Sequence, residues 1–168
     1  MTNLNYLVGD ATCPVLPVGT DMCLILHITN CNGGWGAGFV LALSRRWPMR
    51  LLEGSPEYVY RNGAPESVTL GKIQLVQVEP YLQVINLCAQ SGYKHAGNPV
   101  PLDYRALIEC MKLVLDHVRN LQSQGLTVSV AGPKFGSDLA GGDWSLIEKI
   151  IDRVLVQNDI PVTIYTLA

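Results

Sequence analysis

The sequence predicts an α/β sandwich on a mostly parallel sheet, and two observations carry that expectation. Short β-rich runs alternate with helical patterns along the whole chain, the order that joins parallel strands through crossover helices. Residues 22–29 and 127–131 are also apolar almost throughout, as suits strands buried on both faces of a sheet. With 168 residues, 48% hydrophobic and 15% charged, the chain is expected to form one domain with a full core.

The elements follow in order. Residues 5–8 make a first strand that ends at Gly9-Asp10, and residues 22–29 make a second. Residues 36–47 form a helix with Phe39, Leu43 and Trp47 on one face, stopped by Pro48. A short helix is expected over 56–62. Residues 72–78 alternate less cleanly: Ile73 and Leu75 share a face with Gln77, and Val76 and Val78 share the other with Gln74, which marks an outer strand. Another strand, 81–88, follows the Glu79-Pro80 turn. The strongest helix covers 103–122, with Tyr104, Leu107, Ile108, Met111, Leu115 and Val118 as its apolar stripe and Asp103 as N-cap. A buried strand over 127–131, a helix over 143–157 and a last strand over 161–166 complete the chain.

Bulk properties narrow the function. Net charge is −2 and the isoelectric point is near 5.9, without a basic run, so a sequence-specific nucleic-acid binder is not expected. The five cysteines are scattered and lack a C-x-x-C pair, which argues against a disulfide framework or a zinc site. No apolar run approaches the ~20 residues of a membrane span, and the N-terminus lacks a leader pattern. A cytoplasmic protein is expected, with no membrane partner, no metal and no cofactor.

In open α/β sheets, ligands lie beyond the carboxyl ends of central strands. Three loops qualify: residues 9–19, 30–38 and 132–142. In NCNGGWGAG the glycines fall at 33, 34, 36 and 38, between a buried strand and a helix, where main-chain amides grip anions. The spacing matches neither a P-loop nor G-x-G-x-x-G. GPKFGSDLAGGDW repeats the arrangement after the 127–131 strand, with Asp143 placed to cap the next helix. Two such loops are placed to flank a diphosphate from both sides; the alternative for either is tight strand-to-helix packing. With no helix-borne lysine, the pair suits a diphosphate held without metal better than a nucleoside triphosphate.

VGDAT, HITNCNGGWGAGFVLALSRRWP, INLCAQSGY, VAGPKFGSDLAGGDW and VTIYTLA, in that order and spacing, resemble the macro domain family over nearly the whole chain. The nearest likeness is to the branch of the yeast ADP-ribose 1″-phosphate phosphatase and its bacterial and phage relatives. The resemblance implies a single macro domain over 1–168, a three-layer α/β/α fold with a central mixed, mostly parallel six-stranded sheet. Its implied ligand is ADP-ribose or ADP-ribose 1″-phosphate, with other ADP-ribose-derived nucleotides as further partners.

By the same resemblance Asp10, followed by Ala11, sits where an acid receives the adenine amino group; as a bare residue it is equally a turn former. Asn30 matches an asparagine at the distal ribose. Asn32, Gly33, Trp35, Gly36, Ala37, Gly38 and Phe39 match the first phosphate-side loop. Phe135, Gly136, Ser137, Leu139, Ala140 and Gly141 match the second. His27 corresponds to a histidine of the phosphatase branch: it is either a general acid or base near neutral pH or a core histidine held by one hydrogen bond. Asp138 stands where relatives carry glycine, so it is either the base that activates water or a solvated loop acid.

The implied activity is a phosphatase acting on ADP-ribose 1″-phosphate. Its alternatives are a non-catalytic binder of ADP-ribose or a related signalling nucleotide, and a hydrolase that removes ADP-ribose from protein or nucleic acid. Relatives that do the last use a lysine after the fourth strand and an acid in the second loop. Here Cys88, Ala89 and Gln90 lie near the lysine's place, Lys94 is the nearest substitute, and Ala140 falls near the acid's place. Those departures weigh against that mechanism.

Overall fold

Two strands set the architecture. Strand β2 (Met22–Asn30) is buried along its length except at Ile28, and β4 (Leu82–Gln90) except at Gln90. Strands this apolar must be covered on both faces, so they belong at the centre of a sheet. The structure, a computed structural model, describes residues 4–167. Around the two central strands it places β1 (Leu4–Val8), β3 (Ile73–Glu79), β5 (Val128–Pro133) and β6 (Val162–Thr166) in one six-stranded sheet. The order is β1-β6-β5-β2-β4-β3. Every neighbouring pair is parallel except β3–β4, which is antiparallel. The half-polar β3 therefore occupies an edge, as its mixed pattern predicts.

Period-two alternation sends successive side chains of β2 to opposite cores. Leu24 and Leu26 join the layer of α3 (Tyr104–Ser123) and α4 (Trp144–Val154), with Leu107, Met111, Ile147 and Ile151. Cys23 and Ile25 face the layer of α1 (Phe39–Arg46) and α2 (Pro56–Arg61), with Trp35, Leu43, Trp47 and Tyr60. The result is the expected three-layer α/β/α sandwich.

Caps explain most helix starts. The Asp103 carboxylate accepts from Ala106 N at 2.9 Å, and the Asp143 carboxylate from Ser145 N at 3.0 Å. Most expected boundaries move by one or two residues, and two helix ends move by three. The helix foreseen over 36–47 starts only at Phe39, because Gly38 holds φ 81° and ψ −146°, outside the helical region. The helix foreseen over 143–157 ends at Val154, and a 3₁₀ turn, Val156–Asn158, takes over. The 3₁₀ segments Met49–Gly54 and Glu66–Val68 have no counterpart in the sequence reading, since neither carries a 3.6-residue apolar period. Among the described residues, no helix is long and apolar enough to cross a membrane.

Candidate functional site

The parallel order brings the carboxyl ends of β1, β2, β5 and β6 to one edge of the sheet, and the loops that follow them surround a cleft. The cleft has two adjoining chambers. The larger, about 580 Å³, lies among Asp10, Ala11, His27, Ala37, Gly38, Phe39, residues 133–140 and Tyr165. The second, about 480 Å³, lies among Asn30, Gly34, Trp35, Gly36, Tyr93 and Lys94. Ala37, Gln90, Asp138 and Leu139 line both.

The two glycine-rich loops approach each other closely. A Cβ on Gly38 would lie 2.9 Å from Leu139 Cδ1, so the bare position serves both its positive φ and the contact between loops. Ala37 and Gly38 on one loop, and Ser137, Asp138, Leu139 and Ala140 on the other, line the cleft. Among the described residues, their main-chain N–H groups make no hydrogen bond. Unengaged donors on two facing loops are a set of groups able to hold an anion, with the N-terminus of α1 beside them. Arg45 and Lys134 line the same chamber and add positive charge.

Asp10 Oδ1 accepts from both Thr12 N and Thr12 Oγ1 at 2.8 Å, which turns the chain into the cleft wall. Trp35 is buried rather than presented to solvent. Its Nε1 donates to Ser44 Oγ at 2.7 Å, Ser44 Oγ donates to Glu57 Oε1 at 2.6 Å, and Arg61 Nε pairs with Glu57 Oε2 at 2.7 Å. The Tyr60 hydroxyl donates to the main-chain oxygen of Asn30, so α2 supports the first loop from behind. The Asn30 side chain is itself committed: Nδ2 donates to Gly92 O at 2.8 Å, while Oδ1 accepts from Gly92 N at 3.0 Å and Asn32 N at 3.2 Å.

His27 is fully buried, between Trp35 (ring centroids 5.6 Å apart, edge-on) and Phe39 (5.9 Å). Its Nε2 faces Asn86 Oδ1. Asn86 Nδ2 donates to Gln74 Oε1 at 3.1 Å and Pro56 O at 3.3 Å, which turns Oδ1 toward the imidazole. The ring therefore carries its proton on Nε2, and Nδ1 is a buried acceptor with no partner among the described residues. Burial pushes the imidazole pKa from 6.5 down to about 4, against the opposing bond to Asn86. That burial favours the neutral imidazole at neutral pH, with Asn86 as its one hydrogen-bond partner.

A stability consequence follows with a definite sign. The folded pKa lies below the unfolded one, so the contribution of His27 is fully present above pH 6.5 and is lost as pH falls towards 4. The shift corresponds to about 3 kcal/mol. Urea unfolding at pH 7 and pH 4 should show His27→Gln losing less stability than the parent by about that amount; equal losses would contradict the assignment.

The structure does not bring every anticipated residue to the cleft. Asn32, Gly33 and Gly141 line neither chamber. Asn32 Oδ1 instead accepts from Gly34 N at 2.9 Å, and Gly141 N donates to Asp138 O at 3.0 Å, so these positions shape the turns. Conversely Arg45, Gln90, Tyr93, Lys94 and Tyr165 line the cleft without having been singled out as ligand contacts. For Tyr93 and Lys94 a signal existed. SGYKHAGN follows a central parallel strand, the same criterion that marked the other loops.

No protein-family model matches the chain. Among solved structures, a Bacteroides thetaiotaomicron protein of unknown function is 41% identical, with 98% of each chain covered and a TM-score of 0.84. A macrodomain protein from Streptomyces coelicolor is 38% identical over 98% of this chain and 99% of that one, with a TM-score of 0.76. Thermosipho africanus DarTG, solved in complex with ADP-ribose, shares the fold at 19% identity, with a TM-score of 0.61 over 86% of this chain and 38% of that one. The mouse chromodomain-helicase-DNA-binding protein 1-like is 26% identical over 171 residues, and the chain spans only 18% of that curated relative's length.

Proposed function

The chain belongs to the macrodomain family, and from that premise we propose that its cleft binds ADP-ribose and hydrolyses ADP-ribose 1″-phosphate. The observation that carries the reading is the pair of opposed loops with unengaged N–H groups at Ala37, Gly38 and residues 137–140. That cradle suits a diphosphate, the larger chamber suits the adenosine end, and the second chamber suits the distal ribose. The complex of DarTG with ADP-ribose supports the same ligand on a shared fold.

Asp138, exposed and lining both chambers, is the base in this proposal. It takes a proton from water as the water oxygen bonds to phosphorus. The bond from phosphorus to the C1″ oxygen breaks, and the proton is returned to that oxygen to give ADP-ribose and inorganic phosphate. The loop amides offset the charge gathered on the phosphoryl oxygens. His27, neutral and with Nε2–H given to Asn86, acts only as an acceptor through Nδ1.

Phosphate release from ADP-ribose 1″-phosphate, measured beside a thermal-shift titration with ADP-ribose, tests both halves. At 100 times its Kd, ADP-ribose should stabilise the fold by about 2.7 kcal/mol. No stabilisation would remove the ligand assignment, and stabilisation without phosphate release would leave a binding module. A second reading, removal of ADP-ribose from protein or nucleic acid, is favoured by one feature. The second chamber is bordered by exposed Tyr93 and Lys94, which leaves room for a bulky attachment. A gel assay with labelled ADP-ribosylated protein and DNA separates it from the phosphatase.

A further inference from the structure

The loop over residues 91–99 is more ordered than its exposure suggests. Gly92 is held at both its main-chain groups by Asn30, and Gln90 Nε2 donates to the same Gly92 oxygen at 3.0 Å. Asn98 Nδ2 donates to Ser91 O at 3.0 Å and Tyr93 O at 3.2 Å, and the main chains of His95 and Asn98 exchange two hydrogen bonds. This framework carries Tyr93, 58% exposed, to the first glycine loop, where a Cβ on Gly34 would fall 2.0 Å from its hydroxyl oxygen. Lys94 follows it into the wall of the second chamber and makes no ion pair among the described residues. An unpaired ammonium on a braced loop at a cavity wall has a fixed place from which to meet an anion.

We propose that the 91–99 loop reads the group attached to the distal end of the ligand and selects an anionic one through Lys94, with Asn30 as the positioning residue that holds the loop in place. Asn30 thus acts on the ligand through Gly92 rather than by touching it. The selected group is a phosphate monoester, which stays anionic at the point of attachment, whereas an acyl ester there is neutral. This inference rests on the reading that the cleft holds ADP-ribose.

The test compares Kd values for ADP-ribose and ADP-ribose 1″-phosphate in the parent chain, Lys94→Gln and Asn30→Ala, at low and high salt. An ADP-ribosyl peptide joined through a carboxylate ester, which is uncharged at the linkage, forms a third arm as the neutral control. The parent should prefer ADP-ribose 1″-phosphate over both ADP-ribose and the ester-linked peptide, and Lys94→Gln should cut that preference by about tenfold, the scale of one charge-assisted hydrogen bond. Salt should erode the preference in the parent and not in Lys94→Gln. Asn30→Ala should lose the same preference and speed amide exchange at Gly92 and Tyr93, a combination that a purely structural asparagine would not produce. If all ligands bind but Lys94→Gln leaves the preference and its salt dependence unchanged, the loop proposal is overturned and the ligand assignment stands. If the parent binds none of them, the ligand assignment itself has failed and takes this inference with it.

Discussion

Asp138→Asn is expected to lower phosphate release from ADP-ribose 1″-phosphate by roughly 10²–10⁴-fold, the usual range for loss of a general base. The affinity for ADP-ribose should stay the same or tighten. Asp138 is exposed and lines both chambers, within the same loop as the unengaged N–H groups of Ser137, Leu139 and Ala140. A carboxylate in an anion cradle works against ground-state binding, so removing its charge should not weaken the complex. Single-turnover rates and calorimetric Kd values on the same preparation separate the two effects. An unchanged rate with tighter binding would identify Asp138 as a solvated loop acid and sink its catalytic role.

The second large effect concerns architecture. Gly142→Ala would place a methyl group 2.5 Å from Gly136 O, 2.5 Å from Leu102 Cδ2 and 3.1 Å from Ile147 Cδ1. The first neighbour is main chain inside the second glycine loop, and the hydrogen bond from Gly142 N to Gly136 O, 2.8 Å, closes that loop. Neither the carbonyl nor the core leucine beneath it moves without opening the loop. Such overpacking costs about 1–3 kcal/mol, roughly 2–4 °C of Tm for each kcal/mol in a chain of this size. ADP-ribose binding should weaken with it, since residues 136–140 line the larger chamber. Gly36→Ala is the control for stability, because a Cβ there meets nothing within 4 Å. Equal melting temperatures for the two variants would contradict the steric account.

Much of the fold was legible because apolar patterning speaks directly about layers. The largely apolar runs at 22–29 and 127–131 pointed to central parallel strands, and the interrupted pattern at 72–78 pointed to an edge. Asp103 and Asp143 were readable as caps because their side chains act on amides only two or three residues away. The delayed start of α1 was less visible, since Gly38 follows a residue compatible with a helix, and its positive φ and its closeness to Leu139, far along the chain, are not written in its neighbours.

The sequence by itself determined the sheet, the two glycine loops and the likeness to macrodomains, because strand burial, turn chemistry and local spacing are written in neighbouring residues. Only the tertiary structure decided which side chains face the cleft and in what state. Asn30, matched by resemblance to an asparagine at the distal ribose, lines the second chamber, and its amide is held by Gly92, a residue 62 positions away. His27 reads in the sequence as either a general acid or base or a core histidine; the fold sets it against Asn86, on the adjacent strand in direct register, and buries it, which favours the neutral ring. The place of SGYKHAGN after a central strand marked it as a candidate loop, but only the fold brings Tyr93 against Gly34 and Lys94 into the second chamber. Long-range contacts and the desolvation they impose depend on where distant segments meet, and that information appears only when the sheet has assembled.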